Sequence, residues 1–314
     1  MLPLKPLGIS QVQNASEEFA SLPTNGIENL SQQLSADWFT LTVVGIVGLA
    51  IGSFLNVVIY RLPLILERNA RHEARQLLHI NVAAQTRFNL VLPRSHCPLC
   101  DGIISPLQNI PLISWIVLRG KCVLCNGSIS KRYPIVEGVT CLLAIGTIWI
   151  WGYSITGLFY FVFLASLLTL LIIDVETTLL PDQITLPLVW LGLIASIQSV
   201  DTNDFPTATS SLIGAIVGYM SLWAINQAFK LIRGRTGMGN GDFKLAAALG
   251  AWLGWQALPA VILVASTTGL TYALFLIFWR KLSTKQEIPF GPFLSIGGCV
   301  TLATQDLFTT LVFP

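Results

Sequence analysis

The chain has 314 residues, of which 53% are hydrophobic and only 11% charged, with a formal net charge of +2. A mean hydropathy of +0.69 lies far from the balance of a water-soluble globular domain. The composition therefore excludes a soluble enzyme or a disordered polyelectrolyte, and indicates an integral membrane protein.

Residues 1–37 hold Lys5 as their one basic residue against Glu17, Glu18, Glu28 and Asp37. They lack the basic start of a secretory signal, so the first apolar segment is expected to be retained. Runs of about 20 apolar residues are needed to cross roughly 30 Å of hydrocarbon. Eight candidate spans meet or approach that length, near 38–60, 134–152, 156–174, 184–200, 209–232, 243–256, 258–280 and 290–312. The sixth is short, and its separation from the seventh rests mainly on Pro259. The expected fold is an all-α polytopic membrane protein with about eight transmembrane helices. It divides into an extracytoplasmic segment 1–37, a first span 38–60, a loop 61–133 and a membrane core 134–314.

Positive residues stay in the cytoplasm. With both termini extracytoplasmic, every one of the 18 Lys and Arg residues except Lys5 falls on the cytoplasmic side, while Asp201 and Asp204 fall opposite. The loop 61–133 is then cytoplasmic and basic, with Glu67, Glu73 and Asp101 as its only acids. Such a surface beside a bilayer is drawn to anionic headgroups. Lipid is the expected partner of this charge, and no nucleic acid is expected.

Within the loop stand "CPLC", Cys97 to Cys100, and "CVLC", Cys122 to Cys125, with 21 residues between them. Two such pairs supply four thiolates for one tetrahedral Zn²⁺. The reducing cytoplasm argues against structural disulfides. Thiol redox chemistry is the remaining competitor, but it normally uses one activated pair rather than two matched ones. With four ligands no coordination position stays open, so the zinc is expected to be structural. His96 adjoins Cys97 as a conceivable substitute ligand, and Cys141 and Cys299 read as apolar packing residues within spans.

Ionisable residues within spans are costly, so Glu137, Asp174, Asp182 and Asp242 are functional candidates. On the expected topology Asp174 closes the third span and Asp242 opens the sixth, at one membrane depth. Two carboxylates a few ångströms apart can share a proton, one activating water while the other polarises a peptide carbonyl. The competing reading is that both cap helices at the interface. Gly239 and Gly241, just ahead of Asp242, would let a substrate backbone lie close to the acid. Lys244 either holds the positive end of such a site or anchors its helix to headgroups. Glu137 either pairs with Arg132 or Lys131, or belongs to a functional site.

"GMGNGDFKL" contains Gly239-Asn240-Gly241-Asp242, the Gly-x-Gly-Asp element of GxGD intramembrane aspartyl proteases. With it stand "GSFLNVVIYRLP" at 52–63, the two cysteine pairs, "NIPLISWIVLRGKC" at 109–122, "RYPIVEG" at 132–138, "DVETTLLPDQITLP" at 174–187 and "PFGPFLSIGG" at 289–298. In that order, over roughly 40–314, the chain resembles the type IV prepilin peptidases. The resemblance implies cleavage of the basic leader of prepilins or type II secretion pseudopilins at the cytoplasmic face of the bacterial inner membrane. It implies Asp174 and Asp242 as the catalytic pair, Asp182 as a helix cap, and the four cysteines as zinc ligands. It also implies N-methylation of the new N-terminus from S-adenosylmethionine, where Glu137, if not paired with Arg132 or Lys131, would touch the methyl donor or the substrate amine. The competing functions are a membrane thiol oxidoreductase using the CxxC pairs, and a non-enzymatic assembly or transport protein whose acids line an ion path.

Overall fold

The computed structural model describes residues 25–79, 88–97, 99–198, 205–279 and 288–304, with backbone alone for 25–37, 106 and 107. Residues 1–24, Pro98, Asp201, Asp204, Arg280, Lys281, Lys285 and the expected end of the last span at 305–312 lie outside the described residues. The described residues form nine α-helices: α1 (Asn25–Leu77), α2 (Ile113–Val117), α3 (Arg132–Trp151), α4 (Ile155–Thr177), α5 (Asp182–Gln198), α6 (Ala208–Arg233), α7 (Asn240–Leu253), α8 (Leu258–Phe278) and α9 (Gly291–Ala303). There is no β-strand among them, only two isolated antiparallel bridges.

A helix lies within each of the eight expected spans, yet among the described residues only five are long and apolar enough to cross a membrane on their own: α1 from Trp38, α3, α4, α6, and α8 with the short turn from Trp255. The other three, α5, α7 and α9, have 17, 14 and 13 residues. At 1.5 Å per residue α7 extends only about 21 Å. Eight independent spans are therefore not what the structure supports. The reason lies in how α7 is covered. Every residue from Leu245 to Leu253 is buried, so α7 faces other helices rather than lipid and need not match the hydrocarbon thickness. Helix α1, by contrast, runs past the expected boundary at residue 60 to Leu77. Its 53 residues span about 80 Å, far more than a bilayer core, and its last turns carry exposed Glu67, Arg68, Arg71 and Arg75.

The bundle has two parts that share α4. Helices α1 and α3 pack along each other and against α4, and α9 joins α4 to α8 and α7. At the centre, α7 is clasped by α6 and α5. Small residues make the closest approach possible. A Cβ on Gly214 or Gly218 of α6 would run into the backbone of Gly250 or Ala246 of α7, the small-xxx-small packing of membrane helices. At the far end of α7, Trp252 donates from Nε1 to the Leu188 carbonyl of α5 at 2.8 Å and stacks on Phe163 of α4 with ring centroids 4.7 Å apart. These contacts fix α7 in depth and rotation, and so fix where its first turn lies.

Because Gly250 meets α6 through backbone, no side-chain motion can make room there. Gly250→Ala is expected to cost about 1–3 kcal/mol, read as a lowered midpoint of thermal unfolding in detergent. Gly146→Ala, in a helix position with nothing within 4 Å of the added methyl, is expected to leave that midpoint unchanged or raise it slightly.

Candidate active site and metal centre

Asp242 is the third residue of α7, after the N-cap Gly239. Its carboxylate lies beside the Gly239 backbone N–H, the N-cap donor that an acid at N3 faces. The loop ahead of it is held by Asn226 of α6, whose Oδ1 accepts from the N–H of Gly237 at 2.9 Å and of Met238 at 3.1 Å. The helix-terminus reading of Asp242 is thus realised. It does not account for the whole environment, because Asp242 is only 6% exposed and lies within direct Coulombic reach of Asp174.

Asp174 sits one turn from the end of α4, 4% exposed. The Gly291 backbone N–H, at the start of α9, lies beside its carboxylate. A Cβ on Gly291 would approach Asp174 Oδ2 to 2.5 Å, so glycine is what admits the carboxylate there. Oδ2 itself is buried with no hydrogen-bond partner among the described residues. Two buried carboxylates, each beside a backbone N–H and one of them with an unpaired oxygen, make a site suited to a polar reactant. The backbone of "PFGPFLSIGG" supplies a donor to this site, a role its proline and glycine content did not disclose.

The remaining candidates separate. Gly239 leaves open space apart from Asp242 Oδ2, whereas the room beside Gly241 is taken by Leu180, whose Cβ would lie 2.6 Å from an added methyl. Lys244 binds both carboxylate oxygens of Asp182, at 2.6 and 2.7 Å, tying the first turn of α7 to the first turn of α5. Asp182 is half exposed, so the pair is worth about 0–1 kcal/mol. Its carboxylate has the Lys244 ammonium as partner, while its place in the first turn still suits negative charge. Glu137 pairs with neither Arg132 nor Lys131. Its Oε2 accepts the Leu112 N–H at 2.8 Å, and the Ser53 hydroxyl also bonds to it. Arg132 instead pairs with Glu176, two residues beyond Asp174.

The four cysteines come together. The sulfurs of Cys97, Cys100, Cys122 and Cys125 all lie within 4.8 Å of one another, and Cys97 Sγ is 3.8 Å from Cys125 Sγ. A tetrahedron with metal–sulfur bonds of about 2.3 Å has edges of about 3.8 Å, so the four residues fit one ion. They form a single centre rather than two separate dithiols.

Each pair sits on a knuckle, and the two knuckles are copies. In one, Cys97 N–H bonds the Gly102 carbonyl, Asp101 N–H bonds the Cys97 carbonyl, and His96 bridges Ile103. In the other, Cys122 pairs with Gly127, Asn126 with Cys122, and Lys121 with Ser128 in the same pattern. Asp101 and Asn126 both adopt positive φ, 53° and 56°, residue types that tolerate that region. Leu124 covers Gly102 and Leu99 covers Gly127. This internal repeat was readable as "CPLCDG" and "CVLCNG" but is too short to register in a search for repeats.

The N–H groups of Cys125 and Leu124 hold the Cys122 thiol down to about 7. Cys100, although helped by the Gly102 N–H, is pushed up to about 11 by desolvation and the neighbouring sulfurs. Metal binding must displace the protons that such a cluster otherwise retains, so affinity rises with pH. Purified protein is expected to carry one divalent ion per cluster, to release it on acidification, and to lose it in a Cys97→Ser, Cys122→Ser variant. Metal analysis across pH checks all three, and full occupancy in the double variant would contradict the assignment.

Comparison with known proteins places these features in a family. Residues 46–151 match the Bacterial Peptidase A24 N-terminal domain and residues 161–274 the Type IV leader peptidase family. The chain is 46% identical over 265 residues to the prepilin leader peptidase/N-methyltransferase of Stutzerimonas stutzeri, covering 84% of this chain and 90% of that protein. It is 48% identical over 270 residues to that of Dickeya chrysanthemi, covering 83% and 92%, and 45% identical over 275 residues to that of Pectobacterium carotovorum, covering 87% and 95%. No solved structure matches significantly.

Proposed function

The chain belongs to the type IV leader peptidase family, and on that premise we propose that Asp174 and Asp242 are the catalytic pair with which it removes the leader of prepilins or pseudopilins. It is a multi-pass inner-membrane peptidase and N-methyltransferase. The observation that carries the assignment of the pair is the burial of both carboxylates within Coulombic reach of each other at one end of the bundle.

In the proposed reaction the substrate lies across the mouth formed by α4, α7 and the start of α9. One carboxyl is protonated and donates to the scissile carbonyl, while the other carboxylate takes a proton from the attacking water. The Gly291 and Gly239 N–H groups orient the two acids. Collapse of the tetrahedral species returns a proton to the leaving amine, and neither a metal ligand nor a covalent intermediate is required. Asp182, paired with Lys244, stands outside this exchange.

The sidedness rests on charge. The loop 61–133 and the exposed end of α1 carry the basic surface, so this end faces the cytoplasm and the termini face out. The division into segment 1–37, span 38–60, loop 61–133 and core 134–314 is proposed on the same ground. Zn²⁺ is the ion proposed for the four thiolates, in a closed structural role that organises a loop with little apolar core of its own. S-adenosylmethionine is the proposed methyl donor for the new N-terminus, and anionic lipid the proposed neighbour of the basic loop.

Asp→Asn keeps size and polarity but ends proton exchange. Asp174→Asn and Asp242→Asn are each expected to lower prepilin cleavage by about 100-fold or more while retaining metal and membrane insertion. Asp182→Asn is expected to stay within a few-fold of the unaltered enzyme. Gel-shift rates on co-reconstituted prepilin read these effects, and near-normal cleavage by Asp174→Asn would refute the pairing.

A further inference from the structure

A second polar cluster lies beside the first, between α1, α3 and the loop. Asn56 of α1 is 1% exposed. Its Nδ2 donates to the Gly52 carbonyl at 3.3 Å and to the Tyr133 carbonyl at 3.1 Å. Those two acceptors fix the amide orientation, which turns Oδ1 the other way. Oδ1 is buried and has no donor among the described residues. An unsatisfied buried acceptor of this kind costs about 1–3 kcal/mol, so its retention calls for a reason.

Glu137 of α3 lies one turn beyond Tyr133 and one helix across from Gly52, where an added Cβ would meet the Glu137 Cα at 2.7 Å. Its carboxylate is buried beside neutral donors, the Ser53 hydroxyl and the Leu112 N–H, with no Lys or Arg paired to it among the described residues. Leu112 has φ 58° and ψ −49°, and Ile113 N–H bonds the Pro111 carbonyl at 2.6 Å across it. That is a three-residue turn of the rare, strained hand. Glu137 therefore holds a strained turn of the loop against itself.

The cluster is also next to Asp174. Val136 beside Glu137 and Ile173 beside Asp174 pack together with Ile59 in one buried group, and Arg132 of α3 pairs with Glu176 of α4.

We propose that Asn56 and Glu137 form the site that receives the amine of the new N-terminus, Asn56 Oδ1 accepting one of its N–H groups and the Glu137 carboxylate pairing with it and taking its proton. The proposal rests on the peptidase and methyltransferase reading above. The ammonium gives one proton to Glu137, which frees the nitrogen lone pair. That pair forms the N–C bond to the sulfonium methyl while the S–C electrons remain on sulfur as a thioether. The product is a methylated ammonium, and Glu137 returns its proton to water. A buried acceptor without a donor and a buried carboxylate without a cation are the two partners an ammonium supplies together.

The test uses the full-length zinc-loaded enzyme in lipid nanodiscs and a peptide of the mature prepilin N-terminus, with a free amine or N-acetylated, without methyl donor. The unaltered enzyme is expected to bind the free amine at least tenfold more tightly than the acetylated form. Asn56→Leu and Glu137→Gln are each expected to erase most of that preference while binding the acetylated peptide as before. Equal affinity of the unaltered enzyme for the two peptides would overturn the proposal.

A second measurement separates chemistry from support. Gln retains an acceptor for the Leu112 N–H but cannot take a proton, whereas Asp can. Methylated product per cleaved product, followed with labelled S-adenosylmethionine, is expected to fall at least tenfold in Glu137→Gln and to recover in part in Glu137→Asp. A Glu137→Gln enzyme that methylates at the unaltered rate, or one in which cleavage and methylation fall in step, would overturn the role. Absence of label with the unaltered enzyme would instead defeat the methyltransferase reading, and the binding comparison, which needs no donor, would still decide the amine site.

Discussion

Two carboxylates are buried where water is scarce, and much of the molecule serves to hold them there. An unpaired charge in such a place is so costly that a helix bundle ordinarily excludes it. Here each acid has a backbone N–H aimed at it, from Gly239 for Asp242 and from Gly291 for Asp174. Backbone donors cannot swing away as side chains do, so the geometry depends on helix placement. That placement comes from α7, a helix too short to span lipid alone, sheathed by α6 through glycine contacts and pinned by Trp252 to α5 and α4.

The loop and the bundle are one structure because buried polar side chains join them. Arg61, 6% exposed near the end of the membrane part of α1, donates to the carbonyls of Asn89, Leu90 and Pro93 and so holds the chain that leads to the first cysteine. Glu137 holds the segment between the knuckles, and Arg132 joins the entry of α3 to the exit of α4. The four-cysteine cluster brings the two knuckles of the loop together, and these three contacts tie the loop to the bundle.

Much of this was legible in the sequence, and the limits have physical causes. Hydropathy located the apolar helices of the bundle but not how many cross the membrane, because burial in protein and burial in lipid select the same residues. For that reason it could not tell the protein-sheathed α7 from a lipid-facing span. The cysteine spacing disclosed the four-sulfur cluster because a knuckle sets its two sulfurs three residues apart. Asp174 and Asp242 were identifiable as costly acids, but their approach depends on packing between residues far apart in the chain. Gly291, Asn226 and Asn56 were missed, since a backbone N–H and a neutral amide in an apolar run carry no charge signal. The Gly214-x-x-x-Gly218 spacing was a signal for the α6–α7 contact that went unused. Glu137 was recognised as unusual, while the nearest basic residues in sequence proved to be the wrong partners: helix direction carries Arg132 towards Glu176 instead.

The claim on which the account turns is that Asp174 and Asp242 act together on one reacting centre. Binding of a prepilin peptide whose scissile amide is replaced by a hydroxyl-bearing tetrahedral carbon tests it most directly, because that hydroxyl stands where the attacking water and the carbonyl oxygen meet. The account predicts that the unaltered enzyme binds this peptide about 100-fold or more tightly than the same peptide with a plain methylene, and that either Asp174→Asn or Asp242→Asn abolishes the difference. Equal affinity for the two peptides, or a preference that survives either substitution, would contradict it.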